Sequence, residues 1–483
     1  MTETMEKMDA NDLKYQSGFG NTFESEALEG ALPAGQNNPQ ECPFGLYAEQ
    51  LSGTAFTRPR SENTRSWLYR AHPSVQHSEM VPSALGGLGM SKTETKRAYE
   101  VDPNQMRWQP RPVPKISEKA ITFLEGIEVV GKSGDPTQKH GLAIYNYVAN
   151  ASMVRQSMTN ADGDLLIVPQ MGAMRVQTEF GIMRVEPNEI CVVQRGMRFR
   201  VAFEGEENRG YMLEIFSGHF RLPDLGPIGA NGLANPWDFQ TPVAHYDAED
   251  DSNGSEEWTG YTKFGGRMFE MSQRFSPFNV VAYRGNYVPY KYDLRKFNCM
   301  NSVTYDHPDP SIYTVLTCPS SEPGTAVADF VIFPPRWMAM EHTFRPPWFH
   351  RNTMTEYMGM IWGEYDAKKG GFVPGGSSLH SCMSPHGPDA ATFERFSDPA
   401  KVDTTSPAFF DGGLAFMFET TFMLELSDAA RTSPHREFTY QQCWADMPAS
   451  FDPKAKPPAS RADNLLAWRA SRASNGAKRQ KRA

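Results

Sequence analysis

The stretch DLLIVPQMGAMRVQTEFGIMRVEPNEICVVQRGMRFRVAF, residues 164–203, decides the fold. Its apolar runs, Asp164-Leu-Leu-Ile-Val-Pro169, Ala173-Met-Arg-Val-Gln-Thr-Glu-Phe180, Ile182-Met-Arg-Val185, Glu189-Ile-Cys-Val-Val-Gln194 and Arg198-Phe-Arg-Val-Ala-Phe203, are rich in strand-forming side chains. Gly172, Gly181, Pro187-Asn188 and Gly196 separate them. A strand about every 8–10 residues with a turn signal between is the pattern of a β-sandwich or jelly roll. Alternation in Arg198-Phe-Arg-Val-Ala-Phe203 predicts one wet face and one dry face for that strand.

Outward from this block the chain stays β-rich. With 39 Gly and 37 Pro in 483 residues, there is little room for long helices. A Gly/Pro-rich, strandless connector follows at residues 222–236, then an acidic loop at 247–257. A second β block is expected from about Val303, with Ala326-Val-Ala-Asp-Phe-Val-Ile-Phe333, Met358-Gly-Met-Ile-Trp362 and one long strand over residues 413–426. The expected fold class is therefore all-β dominated, with two jelly-roll or β-sandwich modules and few short helices. The boundaries read as a large N-terminal module with its connector at 1–295, a C-terminal module at 296–452 and a tail at 453–483. The best helical segment, residues 464–471, lies in that tail, which is expected to be disordered beyond about residue 472.

Charge and composition narrow the function. The net charge is −9, but residues 453–483 carry nine Lys or Arg against the single acid Asp463, leaving −17 on the rest. An acidic body lacks the basic face that displaces phosphate counterions, so nucleic acid is excluded as a partner. Six cysteines with no CxxC pair argue against a disulfide scaffold and a thiolate zinc ribbon. The N-terminal residues have no apolar leader core, and no run of 18 apolar residues exists to span a membrane. A soluble, cytoplasmic protein acting on a small molecule is the expectation.

Five of the 11 histidines, His307, His342, His350, His380 and His386, fall within 80 residues. His350 and Glu356 are six apart, which on a straight strand is about 20 Å. Two ligands of one ion must approach to about 3 Å, so the chain has to bend between them, and Asn352-Thr353 is the bend site. His350-x-Asn352-x3-Glu356-x6-Gly363 resembles in spacing the first metal motif of cupin barrels, with Asn in place of its second histidine. In Ser384-Pro-His-Gly-Pro-Asp389, His386 sits in a loop where it has no packing duty, so ligation is the natural reading. His380 reads as a core group or a support behind the ligands. Two histidines and one carboxylate form the facial triad of non-haem Fe(II) oxygenases, which leaves adjacent positions open; catalytic zinc uses the same donors. His307, between Asp306 and Asp309, is placed to serve as a proton acceptor or to cap a turn.

Beyond these motifs, the chain resembles the homogentisate 1,2-dioxygenase family nearly end to end. The resemblance runs through YQSGFGN at 15–21, PAGQNNP at 33–39, LYAEQLSG at 46–53, RSWLYR at 65–70, residues 222–236 and all of 344–389. It implies an Fe(II) enzyme that cleaves the ring of homogentisate with dioxygen to give maleylacetoacetate, in tyrosine and phenylalanine breakdown. Carried over residue by residue, it implies His350, Glu356 and His386 as iron ligands and His307 as proton acceptor. Tyr365 is implied to hold the substrate, with His386 beside it. It also implies a homohexamer, a dimer of trimers. Trp348-Phe349 stands where the family often has two tyrosines, and the basic tail has no counterpart. Two rival readings remain at this stage: a cupin dioxygenase for another hydroquinone acid such as gentisate, and a bicupin binding protein without turnover.

Overall fold

Residues 164–203 form five strands in the computed structural model: Asp164–Met171, Met174–Thr178, Gly181–Val185, Glu189–Val193 and Arg198–Phe203. The described residues are 9–85, 99–247, 257–300, 306–365, 367–368 and 370–455. The five strands divide between two sheets. Asp164–Met171 and Glu189–Val193 lie inside a ten-stranded sheet, while the other three belong to a seven-stranded one. Gly181 closes the hairpin between Met174–Thr178 and Gly181–Val185 inside the seven-stranded sheet: its φ is +132°, and a Cβ there would sit 2.1 Å from the Val243 carbonyl oxygen.

The run Leu165-Leu-Ile-Val168 explains how the molecule is layered. Leu165 and Ile167 face the seven-stranded sheet and pack in the N-terminal core with Val176, Phe199 and Val201. Leu166 and Val168 point to the opposite face and join a second core with Tyr357, Phe416 and Phe418. A sheet covered on both faces selects an unbroken apolar run, and each such side chain contributes about 1.5–3 kcal/mol on full burial.

Behind that second core stands a six-stranded sheet, in the order Thr314–Pro319, Ala326–Phe333, Gly413–Thr420, Thr355–Gly363, Ser377–His380 and Met106–Trp108. The two modules exchange strands. Met106–Trp108, from the N-terminal half, pairs with Ser377–Leu379, and Glu425–Ser427 enters the ten-stranded sheet between Ile127–Asp135 and the edge strand Tyr99–Val101. The all-β, two-module architecture with few helices therefore stands, with α-helices among the described residues only at Ala390–Ser397 and Asp428–Thr432.

Two expectations are corrected. Arg198–Phe203 has no wet face, since Arg198 and Arg200 are buried as well as the apolar residues between them. The Arg198 guanidinium donates to Ser157, while Arg200 donates to Gln177 and lies over the rings of Trp258 and Phe278, so polar partners rather than water satisfy that face. The expected long strand over residues 413–426 is two strands, because residues 421–424 leave the six-stranded sheet and the chain crosses to the ten-stranded one. Val303, most of the acidic loop, the 464–471 helix and the tail beyond residue 472 lie outside the described residues.

Candidate metal centre

The bend required between His350 and Glu356 is present. The Asn352 side-chain oxygen accepts from the Met354 N–H (3.0 Å), turning the chain just before strand Thr355–Gly363 begins. Glu356 is then the second residue of a central strand, flanked in register by His380 on one side and Glu419 on the other. His386 arrives from the loop after Ser377–His380. Reciprocal backbone bonds between His350 and His386 (2.9 and 3.0 Å) bring their rings to 4.1 Å.

One ligand atom from each of His350, Glu356 and His386 lies within 4.8 Å of the others. The Nε2 atom of His350 is 3.3 Å from Glu356 Oε1, and that of His386 is 3.1 Å from Oε2. Behind each ring, Nδ1–H donates to a backbone carbonyl, Trp348 at 2.8 Å and Ser384 at 2.9 Å. Those bonds fix the tautomers, so each neutral imidazole turns an Nε2 lone pair toward a carboxylate. Two lone pairs and an anion converging in a buried pocket require a cation, either two extra protons or one metal ion. The donor set thus fits a divalent metal with oxygen and nitrogen preference, bound on one side only.

Electrostatics agree. Where the two protons supply that charge, the hydrogen bonds that His350 and His386 then donate hold the Glu356 carboxyl well below the usual carboxylate range, although burial alone would raise it. Burial pulls His350 down, but the bond to Glu356 more than offsets this and leaves it raised. His380 is fully enclosed, stacked on His386 with ring centroids 4.0 Å apart and planes at 6°, and burial followed by the charge of His386 drives it well below an ordinary histidine.

The cavity beside the three donors is lined by Met358, Tyr365 and Phe372 on one part and by Arg107, Lys368, His380 and Tyr440 on another. Lys368 follows Tyr365 in a tight turn, its backbone N–H donating to the Tyr365 carbonyl (3.3 Å), so both side chains reach one pocket. Burial pushes the Lys368 ammonium down to about 7. It donates to the Tyr440 hydroxyl, which also lies 3.1 Å from His380 Nε2. His307 is not among the lining residues; its ring stands 4.9 Å from that of Trp348, whose own ring is 6.2 Å from His350. His342 takes no part in the cavity.

Sequence reasoning missed Arg107, Lys368, Tyr440 and Glu419. Lys368 had a signal, three residues after Tyr365. Arg107 and Tyr440 had none, because only the exchanged strand and the C-terminal segment carry them to the pocket. Glu419 is joined to the site by Asn352, whose amide donates to Glu356 (2.9 Å) and to Glu419 (2.7 Å).

Strand arrangement and donor set together define an all-β, two-module protein with an open two-histidine, one-carboxylate centre. Comparison with known proteins narrows the class. Residues 14–294 match the family described as Homogentisate 1,2-dioxygenase N-terminal, and residues 295–451 match Homogentisate 1,2-dioxygenase C-terminal. The chain is 54% identical over 436 residues to homogentisate 1,2-dioxygenase of Dictyostelium discoideum, covering 90% of this chain and 97% of that protein. It is 51% identical over 451 residues to the Homo sapiens protein of the same name, covering 93% and 99%. With that of Arabidopsis thaliana it shares 50% over 445 residues, covering 92% and 95%. The chain belongs to the homogentisate 1,2-dioxygenase family.

Proposed function

We propose that this protein converts homogentisate and dioxygen to maleylacetoacetate at the His350, Glu356 and His386 centre, with Fe(II) as the metal. The observation that carries the reading is the convergence of two tautomer-fixed imidazoles on one buried carboxylate, in a family of ring-cleaving dioxygenases. When bound there, Fe(II) supplies the Lewis-acid and one-electron chemistry that a closed-shell ring and triplet dioxygen lack.

The remaining work belongs to the chain. Lys368, a buried cation at the cavity wall, pairs with the acetate arm, and Tyr365 orients the ring beside it. Met358 and Phe372 keep water off the ring face. His307, whose Nδ1 lies 2.9 Å from the Pro308 carbonyl, is the proton acceptor for the phenol. His380 braces the His386 ring by stacking. The module border at 295/296, a cytoplasmic location and a homohexamer built as a dimer of trimers belong to the same proposal. The border is supported by the break between the two family matches at 294/295.

Anaerobic loading with Fe(II), followed by oxygen-uptake assays on homogentisate and on gentisate, tests metal, substrate and reaction together. Rapid uptake with homogentisate alone is expected; equal or faster uptake with gentisate would sink the substrate assignment. His350→Ala or Glu356→Ala removes one of three ligands and abolishes iron retention. His307→Ala keeps iron and loses about 10²–10⁴-fold in turnover, the usual worth of a positioned proton acceptor.

A further inference from the structure

Strand Thr355–Gly363 places Glu356 but does not aim its oxygens, because the last torsion of a glutamate turns broadly. Oε1 lies 3.3 Å from His350 Nε2, and Oε2 lies 3.1 Å from His386 Nε2. In the neutral tautomers both nitrogens are acceptors and give the carboxylate no hydrogen. Among the described residues one other group is bonded to it, the Asn352 amide, which donates to Oε1 at 2.9 Å. That amide is fixed by two further bonds: its second hydrogen goes to Glu419 Oε1 (2.7 Å), and its oxygen accepts from the Met354 N–H (3.0 Å). The Asn352 carbonyl also accepts from the Met383 N–H (2.7 Å), and the Cys382 N–H donates to the Thr355 hydroxyl (3.1 Å). The turn is thereby bolted to the segment that leads into His386.

Glu419 stands directly opposite Glu356 on the neighbouring strand Gly413–Thr420. Like charges in that relation repel, so Glu356 left to itself would turn away from its neighbour. The amide lies between the two carboxylates and gives each one hydrogen, which removes the repulsion and fixes the Glu356 torsion together. Glu419 is outside the three converging donors and offers the ion nothing; its part is to hold the amide in plane. We propose that Asn352 is a positioning residue of the metal centre: its amide, anchored on Glu419, turns the Glu356 carboxylate toward the two imidazoles and sets how tightly the centre holds a divalent cation. This rests on the reading of His350, Glu356 and His386 as metal ligands. It also gives position 352 a reason to be an amide, since a side chain that spends both hydrogens on carboxylates stays off the ion and leaves the centre with three protein donors.

The test is the dissociation constant for Co(II), measured by competition with a chelator and followed by its visible absorption, in five full-length chains: unaltered, Asn352→Ser, Glu419→Ala, Glu419→Gln and the Asn352→Ser, Glu419→Ala double variant. A serine hydroxyl still accepts from the Met354 N–H and keeps the turn, but it cannot bridge the two carboxylates. Asn352→Ser is expected to bind about 10–100-fold more weakly with an altered Co(II) spectrum, and Glu419→Ala about tenfold more weakly. Glu419→Gln loses the same charge yet keeps an acceptor for the amide, so it should bind within about twofold of the unaltered chain. Glu419→Ala should add nothing once Asn352 is serine, because its effect passes through the amide. If Asn352→Ser does not fold, the two Glu419 variants decide the matter. The proposal is overturned if Asn352→Ser or Glu419→Ala binds as tightly as the unaltered chain, if Glu419→Gln loses as much as Glu419→Ala, or if the two losses simply add in the double variant. An unaltered chain that binds no Co(II) would overturn the ligand assignment itself, and the positioning role with it.

Discussion

Lys368 shows what one side chain takes from its surroundings. On a surface it would be an ordinary cation; enclosed, it is pushed down to about 7 by burial and steadied by the Tyr440 hydroxyl. Its charge is therefore available to the acetate of homogentisate below that value and fades above it. The KM for homogentisate is expected to rise as pH passes 7, and Lys368→Met should raise it by about 10–100-fold below pH 7, the loss of one charge-assisted bond, and by less above it, with iron content intact. Steady-state kinetics from pH 6 to 9 would show it, and a flat KM profile in the unaltered enzyme would remove Lys368 from substrate binding. Asn352 plays a different part: it makes the turn that frees Glu356 from the His350 segment and ties that carboxylate to Glu419, which burial pushes up to about 7.

At the scale of elements, strand Thr355–Gly363 carries the site. Its first half presents Glu356, and its second half packs against the ten-stranded sheet through a deliberately thin point at Gly359. A Cβ there would lie 2.3 Å from the Phe416 ring and 3.0 Å from that of Tyr211, two buried aromatics that are themselves edge-to-face at 4.8 Å. Neither ring has room to withdraw in a close-packed interior. Gly359→Ala is therefore expected to cost about 1–3 kcal/mol, read as a lower midpoint in urea with an unchanged slope. A variant as stable as the parent would show that the interface is looser than its packing implies. The exchanged strand Met106–Trp108 has a comparable weight, because it closes the sheet edge and delivers Arg107 to the cavity, paired there with Glu437.

Across the whole molecule, the N-terminal arm is fastened to the central sheet by a buried charge cluster. Asp164 receives Arg195 Nε (3.0 Å) and His219 Nδ1 (2.7 Å), while His219 Nε2 donates to the Gly53 carbonyl (2.8 Å). With both ring nitrogens donating, His219 is an imidazolium. Burial would raise the Asp164 carboxyl, but the charges of His219 and Arg195 bring it down to about 2; burial would lower His219, but Asp164 leaves it raised. The Asp164 contribution is complete above its unfolded value of 3.8 and is lost as pH falls toward 2. The His219 contribution is complete below 6.5 and is lost as pH rises through its raised folded value. Stability from this cluster is thus greatest between about pH 4 and 6.5. Denaturant midpoints should decline on the alkaline side of that window in the parent and more shallowly in His219→Gln; equal slopes would show that the cluster does not couple to folding.

Sequence by itself determined the strands of residues 164–203 and the all-β class, and it singled out His350, Glu356 and His386, which the fold brings within 4.8 Å of one another, because period, turn residues and motif spacing are local properties of the chain. Even the bend at Asn352 was legible, since an Asn side chain makes its own turn. What only the tertiary structure decided were the groups brought in from far along the chain: Arg107 and Tyr440 at the cavity, and Glu419 behind the carboxylate. The buried arginines of Arg198–Phe203 belong here as well, since alternation marks two faces but not what covers each. The physical reason is common to all of them. A side chain's partner, and with it its charge and its cost of burial, is set by packing between segments that no local pattern relates.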